Sequence, residues 1–324
     1  FLYRLYVVDF VEKGKIYFIS ALKSVHPVHL TWLRSVHAKI IKLPFRRIKY
    51  AFALNTIYAL LSKKLTDADI VITENPKFGI LTLLRAKKRT KIVGLAVNLN
   101  AYIYYHWRIF DHIIANSHFI KEILVKNDNV PSEKISVIYP FSNFEEYPIP
   151  TEEQIKKKER YIVWIANYPE KRWTKGYSLL KRIVQKGHIK VIHIGHSSIS
   201  SSSNIINLGY LNEQEFVNVV RKAKACVHPS LFDAFGVAPL DALNLGTLPV
   251  VSSNCGISEL MPDEFVASDV DDFCTKLREI LDMSAKDYES RLRKMIFSIR
   301  TKTSKQKSIK FFHDTIINVL EGGQ

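Results

Sequence analysis

Short apolar runs rich in β-branched residues alternate with amphipathic stretches along most of the chain. Residues 5–10 (L-Y-V-V-D-F) and 15–22 (K-I-Y-F-I-S-A-L) read as strands, and the few residues between them allow a hairpin. Residues 51–65 carry apolar side chains at helical intervals, 69–73 (D-I-V-I-T) predict a strand, 79–85 a short helix and 92–97 a strand. The segment 111–124 (D-H-I-I-A-N-S-H-F-I-K-E-I-L) predicts a strand and then a helix capped by Ser117, with Ile120, Ile123 and Leu124 on its core face. Residues 135–139 predict a further strand. Pro148, Pro150 and the polar run 152–160 then predict a hinge.

Beyond the hinge, 161–166 and 190–195 read as strands, the serine tract 197–203 as a mobile loop, and 213–224 as a helix capped by Asn212. Residues 271–281 predict a surface helix, and 304–320 a helix with Ile309, Phe312, Ile316 and Val319 on one face. Strands alternating with helices imply an α/β chain with parallel, doubly wound sheets.

One stretch organises the rest, residues 225–259. An apolar run ends at His228, Pro229 and Ser230 break it, a helical pattern starts near Phe235, and Gly246 suits the left-handed residue after a helix. Residues 247–252 then read as a buried strand. Free N–H groups and the positive dipole end at Phe235, Gly236 and Val237 favour an anion there, and Gly236 lets a ligand approach the backbone. Asp241 lies roughly 8 Å further along the axis, so it reaches past the phosphates to paired hydroxyls. Asp233, on the loop before the helix, suits a second polyol. Hydroxyls, phosphates and hydroxyls in that order describe a nucleotide sugar.

Two acids with seven residues between them, Phe235-Gly236 after the first, Gly246-x-x-Pro249-Val250-Val251 after the second and a later Gly256-x-x-Glu259 resemble the donor site of retaining glycosyltransferases of family 4. The chain departs in having Asp at both acids, where the family usually has Glu, and Gly256-Ile257 where a Gly pair is common. The resemblance implies the GT-B fold: two Rossmann-like doubly wound domains facing across a cleft. It places an abbreviated acceptor domain at 1–147, a donor domain at 148–303 and a helix at 304–324 packing back across both. The implied activity is hexosyl transfer from a nucleoside-diphosphate sugar by same-face attack, with the diphosphate as base and with neither metal nor cofactor.

By that resemblance Asp233, Lys175 and Arg172 form the catalytic group. Asp241, Phe235, Gly236, Val237, Lys171, Tyr210 and Glu259 bind the donor. Many relatives have an acceptor-side His near the end of the 92–97 strand, where Asn98, Asn100 and His106 are the candidates here.

Charge and composition restrict the partners. The net charge is +16, and residues 1–150 hold 22 Lys and Arg against 11 Asp and Glu. With the aromatic-laced basic stretch 26–50, this favours an anionic membrane surface or a lipid-linked acceptor, with glycan and protein acceptors also open and nucleic acid not expected. Three cysteines without a C-x-x-C pair fit a reducing compartment and buried apolar roles. A start at Phe1 without a basic-then-apolar leader fits a trimmed, cytoplasmic protein, peripheral on the inner membrane face. Three rivals stand beside this reading: a sugar-nucleotide epimerase, a phosphorylase, for which no pyridoxal phosphate lysine is recognisable, and a degenerate member that binds polyanions without turnover.

Overall fold

Most of the strands are near-continuous runs of buried apolar residues, the pattern of strands covered on both faces. The computed structural model describes residues 16–20, 39–42, 69–73, 90–96 and 106–322. The chain divides into two compact units, Phe1–Pro140 with Gln306–Gln324, and Phe141–Lys305.

In the first unit β1 (Ile16–Ser20), β2 (Lys39–Lys42), β3 (Ile70–Thr73), β4 (Lys91–Ala96), β5 (His112–Ala115) and β6 (Ile135–Val137) form one sheet. Its order is β2-β1-β3-β4-β5-β6, with every neighbouring pair parallel. Both edges of β1 are thus taken by parallel partners, which corrects the hairpin expected within residues 5–22. Residues 5–10, 51–65 and 79–85 lie outside the described residues. Ser117 caps α1 (His118–Asp128) by accepting from the Ile120 amide at 3.1 Å, and Ile120 and Leu124 are its buried residues.

The second unit contains α2 (Glu152–Lys156), β7 (Glu159–Ile165), α3 (Tyr177–Gly187), β8 (Val191–Ile194), β9 (Ile205–Asn207) and α4 (Glu213–Lys222). There follow β10 (Ala223–His228), α5 (Val237–Asn244), β11 (Leu248–Ser252), β12 (Val266–Ala267), α6 (Val270–Asp282) and α7 (Ala285–Thr303). The sheet order β12-β11-β10-β7-β8-β9 is parallel throughout and has the doubly wound Rossmann arrangement, with the strand order reversing between β7 and β10. α8 (Lys305–Glu321) belongs from Gln306 onward to the first unit, where the Ser308 hydroxyl donates to the Tyr139 carbonyl at 2.7 Å.

Three further expectations change. The polar run 152–160 is regular structure and not linker: Thr151 and Gln154 form a capping box on α2, and β7 begins at Glu159. The serine tract is a bonded turn: Ser197 and Ser201 hydroxyls bind Asn207, Ser202 binds the Ile205 amide and Ser198 binds Glu170. The helix after Asn212 ends at Lys222, so Lys224 lies in β10.

α7, which the hydropathy pattern left unread, holds the sheet through Tyr288. This fully buried side chain donates to the Lys224 carbonyl at 2.8 Å and accepts from the Leu248 amide at 2.9 Å, tying β10 to β11. Tyr288→Phe leaves both backbone groups without that partner. It is expected to lower the unfolding free energy by about 1–3 kcal/mol, read as a lower midpoint in urea.

Candidate active site

Ligands of doubly wound sheets gather at the carboxyl ends of the strands where the order reverses. In the second unit that point lies between β7 and β10, and the loops following these two strands carry Lys175 and Asp233. The first loop closes in a single 3-10 turn, Trp173–Lys175, and leaves it through Gly176 at φ +68°. A side chain on Gly176 would place its Cβ 1.7 Å from the Pro229 carbonyl oxygen, so the two loops touch backbone to backbone. The Leu231 amide, donating to the Thr174 carbonyl at 2.8 Å, fastens them.

The result is an ion pair: Lys175 Nζ stands 2.7 Å from Asp233 Oδ2. Asp233 is strapped from the other side as well. Its amide donates to Asn254 at 3.1 Å, its carbonyl accepts from Gly256 at 3.0 Å, and its Oδ1 accepts from the Phe235 amide at 3.3 Å. His228 Nε2 lies 3.2 Å from Oδ2. Burial works to raise the Asp233 pKa, but Lys175 and His228 outweigh it and hold the carboxyl well below the usual carboxylate range. Asp233 is therefore an ionised acceptor and not an acid at neutral pH.

α5 follows its N-cap Gly236, at φ +97°, and no side chain caps its first turn, so the positive end of the helix lies uncapped after the Asp233 loop. Asp241, on the same helix, is half-buried and accepts from the buried Ser142 hydroxyl at 2.7 Å. Behind the loop Cys255 donates its thiol to the Phe235 carbonyl, and burial raises its pKa well above the ordinary value.

A second feature lies on the β8 and β9 side of the switch point. The loops after β7, β8 and β9 each supply one ring to a stack. Tyr168 and His196 are 5.6 Å apart at 13°, and His196 and Tyr210 are 4.7 Å apart at 11°. Lys171 Nζ stands 5.7 Å from the Tyr168 ring centroid, at one end of the stack, and Tyr210, at the other, is 61% exposed.

A family model described as Glycosyl transferases group 1 matches residues 159–283, and one described as Glycosyltransferase Family 4 matches residues 16–146, together more than half of the chain. The chain belongs to glycosyltransferase family 4. This family 4 chain is 27% identical over 152 residues to the O-antigen chain mannosyltransferase RfbU of Salmonella typhimurium, covering 44% of this chain and 42% of the relative. It is 25% identical over 177 residues to an uncharacterized glycosyltransferase, MJ1607, of Methanocaldococcus jannaschii, covering 47% and 45%. The matched stretch spans less than half the length of each of these relatives. The crystal structure of Anabaena Alr3699/HepE in complex with UDP and glucose superposes with a TM-score of 0.70 at 12% identity, covering 94% of this chain and 99% of that one. At that identity the likeness speaks for the fold, which is GT-B, as expected from the motif order.

Of the residues expected at the site of this family 4 member, Lys175 and Asp233 come together, and Gly236, Val237 and Asp241 share α5 or its cap. Phe235 does not present a free amide: its N–H is taken by Asp233 and its ring is buried. The Gly256 and Ile257 amides bond the Asp233 and Phe235 carbonyls. Arg172 and Lys171 are exposed on the loop after β7. Glu259 is exposed on the rim of a surface cavity of about 620 Å³ that also includes Met261, Phe265 and Lys294. His106 is exposed and left-handed at φ 81°, with its amide on Asp128, whereas Asn98 and Asn100 lie outside the described residues. Sequence reasoning missed His228, Ser142, Tyr168 and His196. The available signals were a histidine closing an apolar run and an aromatic residue after each of three successive strands.

Proposed function

We propose that the chain transfers a hexose, with retention of configuration and without a metal ion, from a nucleoside-diphosphate sugar to a glycan, lipid-linked or protein acceptor. The observation that carries this reading is the Lys175–Asp233 pair at the switch point of the donor-side sheet, beside the uncapped start of α5.

A diphosphate at the front of α5 takes Lys175 from Asp233, with the exposed Arg172 and Lys171 as further cations. The freed, ionised Asp233 accepts hydrogen bonds from the sugar hydroxyls. Asp241, aimed by Ser142, takes the ribose, and the base stacks on the open side of Tyr210. Charge building on the leaving diphosphate meets a cation and a helix terminus already in place, so catalysis comes from positioning and electrostatics. The diphosphate itself serves as base in the same-face attack, and no protein nucleophile is required. The basic first 150 residues and the likeness to an O-antigen mannosyltransferase favour an acceptor at a membrane surface. No helix among the described residues is long and apolar enough to cross a membrane.

The test uses water as a slow acceptor. The chain is incubated with the UDP, GDP and ADP conjugates of glucose, galactose and mannose, and released nucleoside diphosphate and the first-formed sugar anomer are followed by NMR. Release from at least one donor with the donor's own anomer appearing first supports retaining transfer. The opposite anomer overturns retention, and no release from any donor by folded protein, with or without added glycans, overturns the activity.

The stack gives a separate expectation. Tyr210→Ala is expected to weaken nucleoside diphosphate binding by about 1–3 kcal/mol, roughly 5- to 150-fold, and Tyr210→Phe to leave it within about twofold, both read by calorimetry.

A further inference from the structure

We propose that His228 is a positioning residue for Asp233, the fixed donor that keeps the carboxylate aimed once Lys175 has left it. The inference rests on the reading above, in which Lys175 moves to the diphosphate.

Asp233 Oδ2 receives two donors, Lys175 Nζ at 2.7 Å and His228 Nε2 at 3.2 Å. They differ in kind. Lys175 sits on an exposed loop at the end of a flexible four-carbon stem and can follow an incoming anion. His228 is the last residue of β10, is 3% exposed, and has no such freedom. A carboxylate only accepts, so Nε2 carries the hydrogen that faces it. Ser230 Oγ, 3.0 Å from the same nitrogen and two residues along the chain, is a second acceptor for that N–H. Without His228, departure of Lys175 would leave Oδ2 with no donor from this network and only the Phe235 amide on Oδ1 to set the carboxylate plane. A half-buried carboxylate in that state rotates or takes up a proton, and either removes the acceptor offered to the sugar.

A merely structural histidine and a positioning one predict different kinetics. His228→Gln keeps an amide N–H at about the reach of Nε2, His228→Asn is polar but too short, and His228→Leu removes the donor. Positioning predicts that kcat for donor hydrolysis falls at least tenfold in the Asn and Leu variants and recovers to within about threefold in Gln. It also predicts that UDP, GDP and ADP, which lack the sugar, bind all three variants as they bind the native chain. Equal turnover in Leu and Gln, or a loss of nucleoside diphosphate affinity that parallels the loss of turnover, overturns the proposal. Failure of the native chain to bind any nucleoside diphosphate would instead sink the donor-site reading itself. Should the variants not fold, ¹⁵N spectra of the native chain decide the matter. The Nε2–H tautomer of His228, with a hydrogen-bond shift that moves on Asp233→Ala and not on Asp241→Ala, supports positioning, and an Nδ1–H tautomer overturns it.

Discussion

Lys175→Met is expected to lower kcat/KM for donor hydrolysis by about 10²–10³-fold, the cost typical of removing one preorganised donor from developing charge. The methionine keeps most of the stem, so the loop after β7 retains its packing while the cation is lost. The substitution acts on Asp233 too. In the native chain Lys175 and His228 hold the Asp233 pKa below its unfolded value despite burial, so this group stabilises the fold above the ordinary carboxylate range and loses that contribution as pH falls through the depressed folded value. With Lys175 gone, burial is less opposed and the folded pKa rises. The variant should therefore unfold at a higher pH on acid titration than the native chain, as followed by circular dichroism. An unchanged acid midpoint would mean that the ion pair does not form in solution.

Gly176→Ala is expected to damage the site without touching a charged group. The left-handed φ of +68° disfavours any side chain, and a Cβ 1.7 Å from the Pro229 carbonyl has backbone and not a movable side chain in its way. The loops after β7 and β10 must separate, which breaks the Leu231 to Thr174 bond and draws Lys175 away from Asp233. A stability loss of about 3 kcal/mol is expected, at the upper end for single substitutions. The folded fraction should bind nucleoside diphosphate as weakly as Lys175→Met does. Native affinity in a folded Gly176→Ala protein would show that the close contact of the two loops is not what places Lys175.

The local part of this site was legible before any coordinates. Pro229 breaks the strand, Gly236 opens a helix, Gly246 ends it at φ +88°, and the acids fall on the loop and the helix where the periodicity puts them. The pairing across the site was not legible. Lys175 and Asp233 are 58 residues apart, and they meet only because β7 and β10 lie side by side in parallel. Nothing in the local pattern of either loop encodes that neighbour. The Phe235 amide is expected at a ligand because a helix start leaves it free, yet Asp233 Oδ1 takes it within the loop.

Composition misled in two other places. The serine tract has the make-up of a free loop, but its hydroxyls find Asn207 and the Ile205 amide once β9 is formed. α7 is so rich in Lys and Arg that its buried row, Tyr288, Leu292, Met295, Ile296 and Ile299, is diluted, although those positions keep helical spacing.

We propose that the switch point of the second sheet is a nucleotide-sugar site built from Lys175, Asp233 and Asp241. The decisive experiment is calorimetric titration of the native chain, Lys175→Met and Asp241→Ala with UDP, GDP and ADP. One of the three nucleotides is expected to bind the native chain, and each substitution to weaken it at least tenfold, about 1.4 kcal/mol. Equal affinity in all three proteins, or no binding to the folded native chain at millimolar nucleotide, would contradict it.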